Sequence, residues 1–205
     1  MPKMIVSILC LFLLAACGSK RAVHSGLRQE PPLPATCEAG MQAHTLDYQP
    51  AKLGNDAHCK VDQPVRFSRS QILRMSPALT TSCALALAWL DFEPTIEALA
   101  LRHLDSRVTV VQHYGSYNCR PMSGNRRRMS LHASARAIDI AGFVLADGRE
   151  ISVKRDWNAG AAGRFLHAFA NAACERFGVV LTPSHDRDHH DHVHIDIGPW
   201  RLCGT

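Results

Sequence analysis

The chain has 205 residues, 46% of them apolar and 20% charged, which are globular values and exclude global disorder. That length suffices for one domain with a real core and an N-terminal extension. The formal net charge of +5 favours anionic polymers or membrane surfaces as neighbours without demanding nucleic acid. There is no basic stripe interleaved with aromatics, and the one basic run, Arg126-Arg127-Arg128, reads as a solvated loop.

In chain order, the sequence opens on Lys3 and an apolar run from Met4 to Ala16. This is the pattern of an export signal and is too short for an ordinary membrane-spanning helix. Its end, Leu14-Ala15-Ala16-Cys17, resembles the bacterial lipobox. The resemblance implies removal of residues 1–16 and lipidation of Cys17, which would tie the chain to a membrane. Gly18 and Ser19 follow the cysteine with no aspartate, which implies the periplasmic face of an outer membrane. Residues 17–36 are then the lipidated N-terminus and a polar, Pro-rich tether, and residues 37–205 the folded domain. Cys10 lies in the leader. The six remaining cysteines, Cys37, Cys59, Cys83, Cys119, Cys174 and Cys203, are an even number in an exported chain and predict three disulfides. Cys37 with Cys59 is the most local pairing. The absence of any C-x-x-C pair argues against a thiolate metal site.

Within the domain, Pro64–Ser68 predicts a short strand among turn formers. "TTSCALALAWL" predicts a helix capped by Thr80 or Thr81, and Pro94 opens a second helix running to about His103. The β-branched stretch Arg107 to Gly115 predicts a buried strand, and the loop "SYNCRPMSGNRRRMS" follows. "RAIDIAGFVL" and "EISVKR" predict a hairpin turned at Asp147-Gly148. Residues 159–177 predict an amphipathic helix stopped by Gly178. "VVLTP" and "HVHIDI" predict the last two strands. Helices mixed with antiparallel hairpins give the class α+β.

The chemistry concentrates in "SHDRDHHDHVHID", Ser184 to Asp196. On an extended strand His192, His194 and Asp196 share one face, while Val193, Ile195 and Ile197 share the other. His-x-His alone is a weak metal signal, and a catalytic zinc wants three protein ligands and an open position. "SLHASARAIDIAGF" offers His132 and Asp139. A turn over Ala133 to Arg136 would let both face one point. Asp139 stands between Ile138 and Ile140, where a carboxylate is costly unless paired or metal-bound.

Ser-x-His-x(6)-Asp followed by a late His-x-His resembles the zinc D,D-peptidases of the murein-endopeptidase type, whose fold is shared with the hedgehog signalling domain. More narrowly, "YNCR", "SLHASARAIDIAGFVLADGREISV", "ACERFGVVLTP" and "HHDHVHIDI" are similar to the bacterial extensin-like C-terminal family over roughly residues 57 to 200. The resemblance implies an α+β, hedgehog/D,D-peptidase-like fold with a small antiparallel sheet flanked by helices. It implies one zinc ion per chain held by His132, Asp139 and His194. His192 or His189 would serve as general base, and Arg120 would stabilise an oxyanion or hold a substrate carboxylate. Ser130 would bond substrate or a ligand. His185 and His190 stay with the loop. Two departures stand out: Ala135 occupies a position often held by glycine, and the Glu-x-x-His arrangement of the dipeptidase branch is missing.

The expectation is therefore a periplasmic zinc peptidase acting on peptidoglycan stem or cross-link peptides. Its rivals are a non-catalytic, zinc-containing wall-binding lipoprotein and a metal buffer built on the histidine cluster.

Overall fold

The computed structural model describes residues 37–53 and 56–205. The leader, Cys17 and the tether lie outside the described residues.

Helix α1 (Cys37–His44) leads into strand β1 (Thr45–Pro50). The strand expected at Pro64 runs to Ser70 as β2 (Pro64–Ser70). Next comes β3 (Arg74–Ser82), which the sequence reading did not contain because Pro77 interrupts it. The proline is tolerated because the β3 ladder to β4 ends at Ser76 and its main ladder to β2 begins at Leu79. Helix α2 (Cys83–Leu90) is capped by Ser82, whose Oγ accepts from Leu85 N–H at 3.3 Å. Thr80 and Thr81 finish β3 instead. Thr81 Oγ1 donates to Ala135 O at 2.9 Å.

Helix α3 (Glu93–Leu104) carries Pro94 in its first turn, as expected. Strand β4 is Val108–Gly115 and β5 is Ala137–Leu145. The Asp147-Gly148 turn returns the chain, with Gly148 at φ +86°, a backbone angle that favours glycine. The return strand β6 (Glu150–Ser152) is shorter than "EISVKR". Asp156 Oδ2 accepts from Ser152 N–H at 2.8 Å and turns Val153–Asp156 into a short helix, α4. Helix α5 (Gly160–Arg176), β7 (Val179–Leu181) and β8 (Val193–Asp196) follow as expected. A further strand, β9 (Leu202–Gly204), closes the chain, so "HVHIDI" is not the last.

The sheet has nine strands in the order β1-β2-β3-β4-β5-β8-β7-β9, with β6 also on β5. The expected small antiparallel sheet is thus a large mixed one. The β3–β4 and β7–β9 pairs are parallel, because helices or long loops return the chain between those strands. Strand β5 is the hub: β4 flanks one edge, and β8 and β6 divide the other. Ala137–Ile140 pairs with β8, and Gly142–Val144 with β6.

The core unites Ile138, Ile140, Phe143, Val193 and Ile195 of the sheet with α2, α3 and α5. Phe92 packs edge-on to Phe177 at 5.2 Å between ring centres, and Phe143 does so to Phe165 and Phe169, each at 5.1 Å. Each such ring contributes roughly 2–3 kcal/mol of burial. Three disulfides staple this body: Cys37–Cys83, Cys59–Cys119 and Cys174–Cys203. The local Cys37–Cys59 pairing is not made, because α1 packs on α2 and presents Cys37 to Cys83, while Cys59 joins the loop after β4. Their loops of 46, 60 and 29 residues are long enough for each bridge to contribute about 4 kcal/mol on the chain-entropy model.

Candidate metal centre

The alternation of β8 puts Val193 and Ile195 into the core and leaves His194 and Asp196 on the opposite face. Asp139 on β5 lies directly across from His194 in the antiparallel register. Cross-strand neighbours are the closest side-chain pairs a sheet offers. His194 Nδ1 accordingly lies 3.0 Å from Asp139 Oδ1.

His132 arrives from a short 3-10 turn, Leu131–Ser134. Ser130 Oγ caps that turn by accepting from His132 N–H at 3.3 Å. Ala135 ends it in the left-handed region at φ +51°, a conformation in which a Cβ is strained. It is held there by hydrogen bonds from its N–H to His132 O, and from Ser82 N–H and Thr81 Oγ1 to its own carbonyl. The expected turn over Ala133 to Arg136 is thus built, with alanine where glycine would be unstrained. It brings His132 Nε2 to 3.2 Å from Asp139 Oδ1 and 3.2 Å from His194 Nδ1.

The protonation pattern decides what this cluster can do. Ser116 O, which can only accept, sits 2.8 Å from His132 Nδ1, so Nδ1 carries the hydrogen. In the neutral ring Nε2 then presents a bare lone pair to a carboxylate oxygen, another acceptor. His194 Nε2 faces Asp196 Oδ2 at 3.6 Å, an acceptor on the outer side of the ring, which leaves Nδ1 able to turn its lone pair inward. Three inward acceptors are stable together only around a positive charge, a proton or a cation. A tetrahedral zinc ion with bonds of about 2.0–2.1 Å separates its ligand atoms by about 3.3 Å, close to the separations seen. The donor set fits a metal ion, and the outer carbonyl and carboxylate are the partners that metal-bound imidazoles require. With protons alone, burial would raise the Asp139 carboxyl. Hydrogen bonds from His132 and His194 outweigh burial and hold it far below its ordinary range. Burial lowers His194, but Asp139 and Asp196 push it up to about 9.

His192 and His189 flank the cluster. His192 Nε2 is 3.5 Å from Asp139 Oδ1, and its Nδ1 is 2.9 Å from Asp191 Oδ1. His189 Nδ1 is 2.7 Å from Asp186 Oδ1, and its ring centre lies 5.2 Å from that of His192. Burial lowers the His189 pKa despite Asp186. Each ring has a carboxylate against Nδ1, and His192 turns its Nε2 toward Asp139. Arg120 is not drawn in: its guanidinium makes one long hydrogen bond, 3.4 Å to Pro121 O. Its backbone carbonyl accepts from Ser130 N–H at 3.1 Å. His185 and His190 are exposed, as expected.

The sequence reading missed Ser116, which acts through its carbonyl and so leaves no residue-type signal. It also missed Asp186 and Asp191 as clamps, although Asp-x-x-His and Asp-His spacings were open to inspection. Tyr114 went unnoticed as well; it stands edge-on to His192 at 5.9 Å. Asp56 approaches Cys59 and Cys119, but those sulfurs are bonded to each other and cannot ligate.

Three disulfides mark a chain of an oxidising, extracytoplasmic compartment. Among the described residues, no helix is long and apolar enough to cross a membrane. The class defined so far is an extracytoplasmic mixed α/β domain with a His-Asp-His cluster, His132 buried and Asp139 and His194 partly so, whose donor atoms suit a metal ion. A family model for the extensin-like protein C-terminus matches residues 35–204, and the chain belongs to that family. No curated protein and no solved structure matches it.

Proposed function

We propose that this domain is a zinc-dependent peptidase that hydrolyses peptidoglycan stem or cross-link peptides, of the D,D-endopeptidase or carboxypeptidase type. Its fold would be a variant of the hedgehog/D,D-peptidase one, with Cys17 anchoring the chain by lipid at the periplasmic face of an outer membrane. The observation that carries this reading is the convergence of His132 Nε2, Asp139 Oδ1 and His194 Nδ1 within 3.0–3.2 Å, with each imidazole's outer nitrogen turned to an acceptor.

When bound, zinc supplies Lewis acidity for amide hydrolysis. His132, Asp139 and His194 hold it, and Ser116 and Asp196 fix the two rings. His192 receives a proton at Nε2 while Asp191 keeps the other on Nδ1, the arrangement of an oriented general base. His189, clamped by Asp186, is the second candidate for that proton. Arg120 would serve the oxyanion or a substrate carboxylate after its guanidinium turns from Pro121 O.

The test is paired. Metal is measured per purified chain, and purified peptidoglycan is then incubated with the protein, with and without chelator, before muropeptide analysis. New, chelator-sensitive products support the peptidase. One ion per chain with no products at any metal loading sinks it and leaves the zinc-containing wall-binding lipoprotein, a reading favoured by the bonding of the Arg120 guanidinium to Pro121 O rather than to the cluster. Several ions per chain, retained in Asp139→Ala, would mean a metal buffer.

A further inference from the structure

The segment leading into His132 carries a cluster that the proposed chemistry does not use. From Arg120 to Ser130 the chain doubles back: Pro121 bridges Met129, Met122 N–H donates to Arg128 O at 2.9 Å, and Arg128 N–H donates to Asn125 O at 3.0 Å. Arg126, Arg127 and Arg128 are all exposed at this tip. Backbone bonds and the Asn125 side chain, which accepts from Arg127 N–H, hold the turn, not the guanidiniums. None of the three guanidiniums has a carboxylate partner among the described residues.

Arg128 instead stands over the Trp200 indole, with its guanidinium carbon 5.7 Å from the ring centre. Trp200 is 50% exposed, beside a tip whose Met122 and Met129 are also exposed. Two residues before this indole the backbone comes close to the loop: a Cβ at Gly198 would lie within 2.5 Å of Leu131 Cδ1. The C-terminal segment is thus pressed against Leu131, the residue next to His132, and the arginine tip and the indole belong to the two segments that meet there.

An uncompensated triple positive charge repels itself, and a half-exposed indole gains from being covered. Guanidinium groups match carboxylates with two parallel hydrogen bonds, which lysines cannot do. We propose that Arg126, Arg127, Arg128 and Trp200 form a docking rim for carboxylate-bearing peptides of the wall polymer. The rim holds the peptide on the His132 side of the cluster. This rests on the reading of the site as directed at peptidoglycan, and it adds that recognition is by free carboxylates away from the reacting bond.

The test is co-sedimentation of the full-length chain with isolated sacculi, in chelator so that no bond is cut. Four preparations are compared: wild type, Arg126→Ala/Arg127→Ala/Arg128→Ala, Trp200→Ala, and the triple Arg→Lys variant. Native sacculi are set against sacculi whose carboxyl groups have been amidated, and against vesicles of phosphatidylglycerol. Thermal melts show that each variant folds. The triple alanine variant should bind native sacculi on the order of tenfold more weakly, and wild type should lose a similar factor on amidated sacculi. The lysine variant should fall between, and Trp200→Ala should weaken binding at every salt concentration. Equal binding by wild type and the triple alanine variant, equal binding to native and amidated sacculi, or a loss confined to vesicles would each overturn the rim. Muropeptide release by an otherwise wild-type chain with such a result would leave the chemistry standing. Binding of the expected pattern with no release would do the reverse.

Discussion

The β5–β8 ladder has two faces made from the same few residues. On one face Ile138, Ile140, Val193 and Ile195 are fully buried in the core shared with the helices. On the other, one residue along, Asp139 and His194 meet across the strands with His132 above them. The first face needs volume and apolarity, so a swap of similar size costs little. The second needs particular donor atoms at particular places, so nothing substitutes. A period of two residues keeps these demands apart on strands of nine and four residues.

The sharpest way to break this contrast is at the cluster itself. His132→Ala, Asp139→Ala or His194→Ala should each take bound metal from about one ion per chain to near zero, measured by elemental analysis after desalting. Ile195→Val, one residue from His194, should leave it unchanged. Metal retained in Asp139→Ala would mean that the two faces are not functionally distinct.

On the core face, Phe143→Ala removes a ring packed between Phe165 and Phe169 and should cost about 3–5 kcal/mol, read from urea midpoints. Metal per folded chain should stay as in wild type.

Away from both faces lies a buried carboxyl, Glu93, bonded to Trp89 Nε1 at 3.0 Å and to Ser70 Oγ. Burial pushes its pKa up to about 7 from an ordinary 4.5, against those two hydrogen bonds. Between these pH values the folded state binds more protons than the unfolded chain, so stability from this group falls as pH rises through the window. The full drop is about 3 kcal/mol. Glu93→Gln should flatten that part of the stability profile between pH 4.5 and 7, and an unchanged slope would show that Glu93 is not its source.

The smallest effect is expected at Ala135. Ala135→Gly relieves a left-handed backbone but loosens the unfolded chain and removes a buried methyl. Stability should shift by less than about 1 kcal/mol, with metal binding retained.

Much of this was readable beforehand where chemistry is written in residue types and period. Asp139 between isoleucines and the alternation of His192 to Ile197 announced two-faced strands, and a turn over Ala133 to Arg136 was the way to let His132 and Asp139 face one point. What escaped depended on partners distant in sequence. β3 hides behind Pro77, whose place in a sheet depends on where its neighbours' ladders stop. The disulfides follow helix packing rather than proximity along the chain. The Ser116 clamp is a carbonyl, which every residue has. Arg120 matched a motif, yet no contact among the described residues joins its guanidinium to the ligands.

The spacing of His132, Asp139 and His194 along the chain has a kinetic consequence. His132 and Asp139 come from neighbouring segments, whereas His194 joins Asp139 only when residues 55 positions apart are brought together. Contacts of such separation form late in folding, because a long loop must first be closed. An exported chain would therefore hold only two of the three proposed ligands, too few for a tight site, until its last strands dock. On the proposed reading, metal uptake would then report that the exported chain has docked its last strands, and a chain cut short before β8 would lack both His194 and the strand that pairs with Ala137–Ile140 of β5.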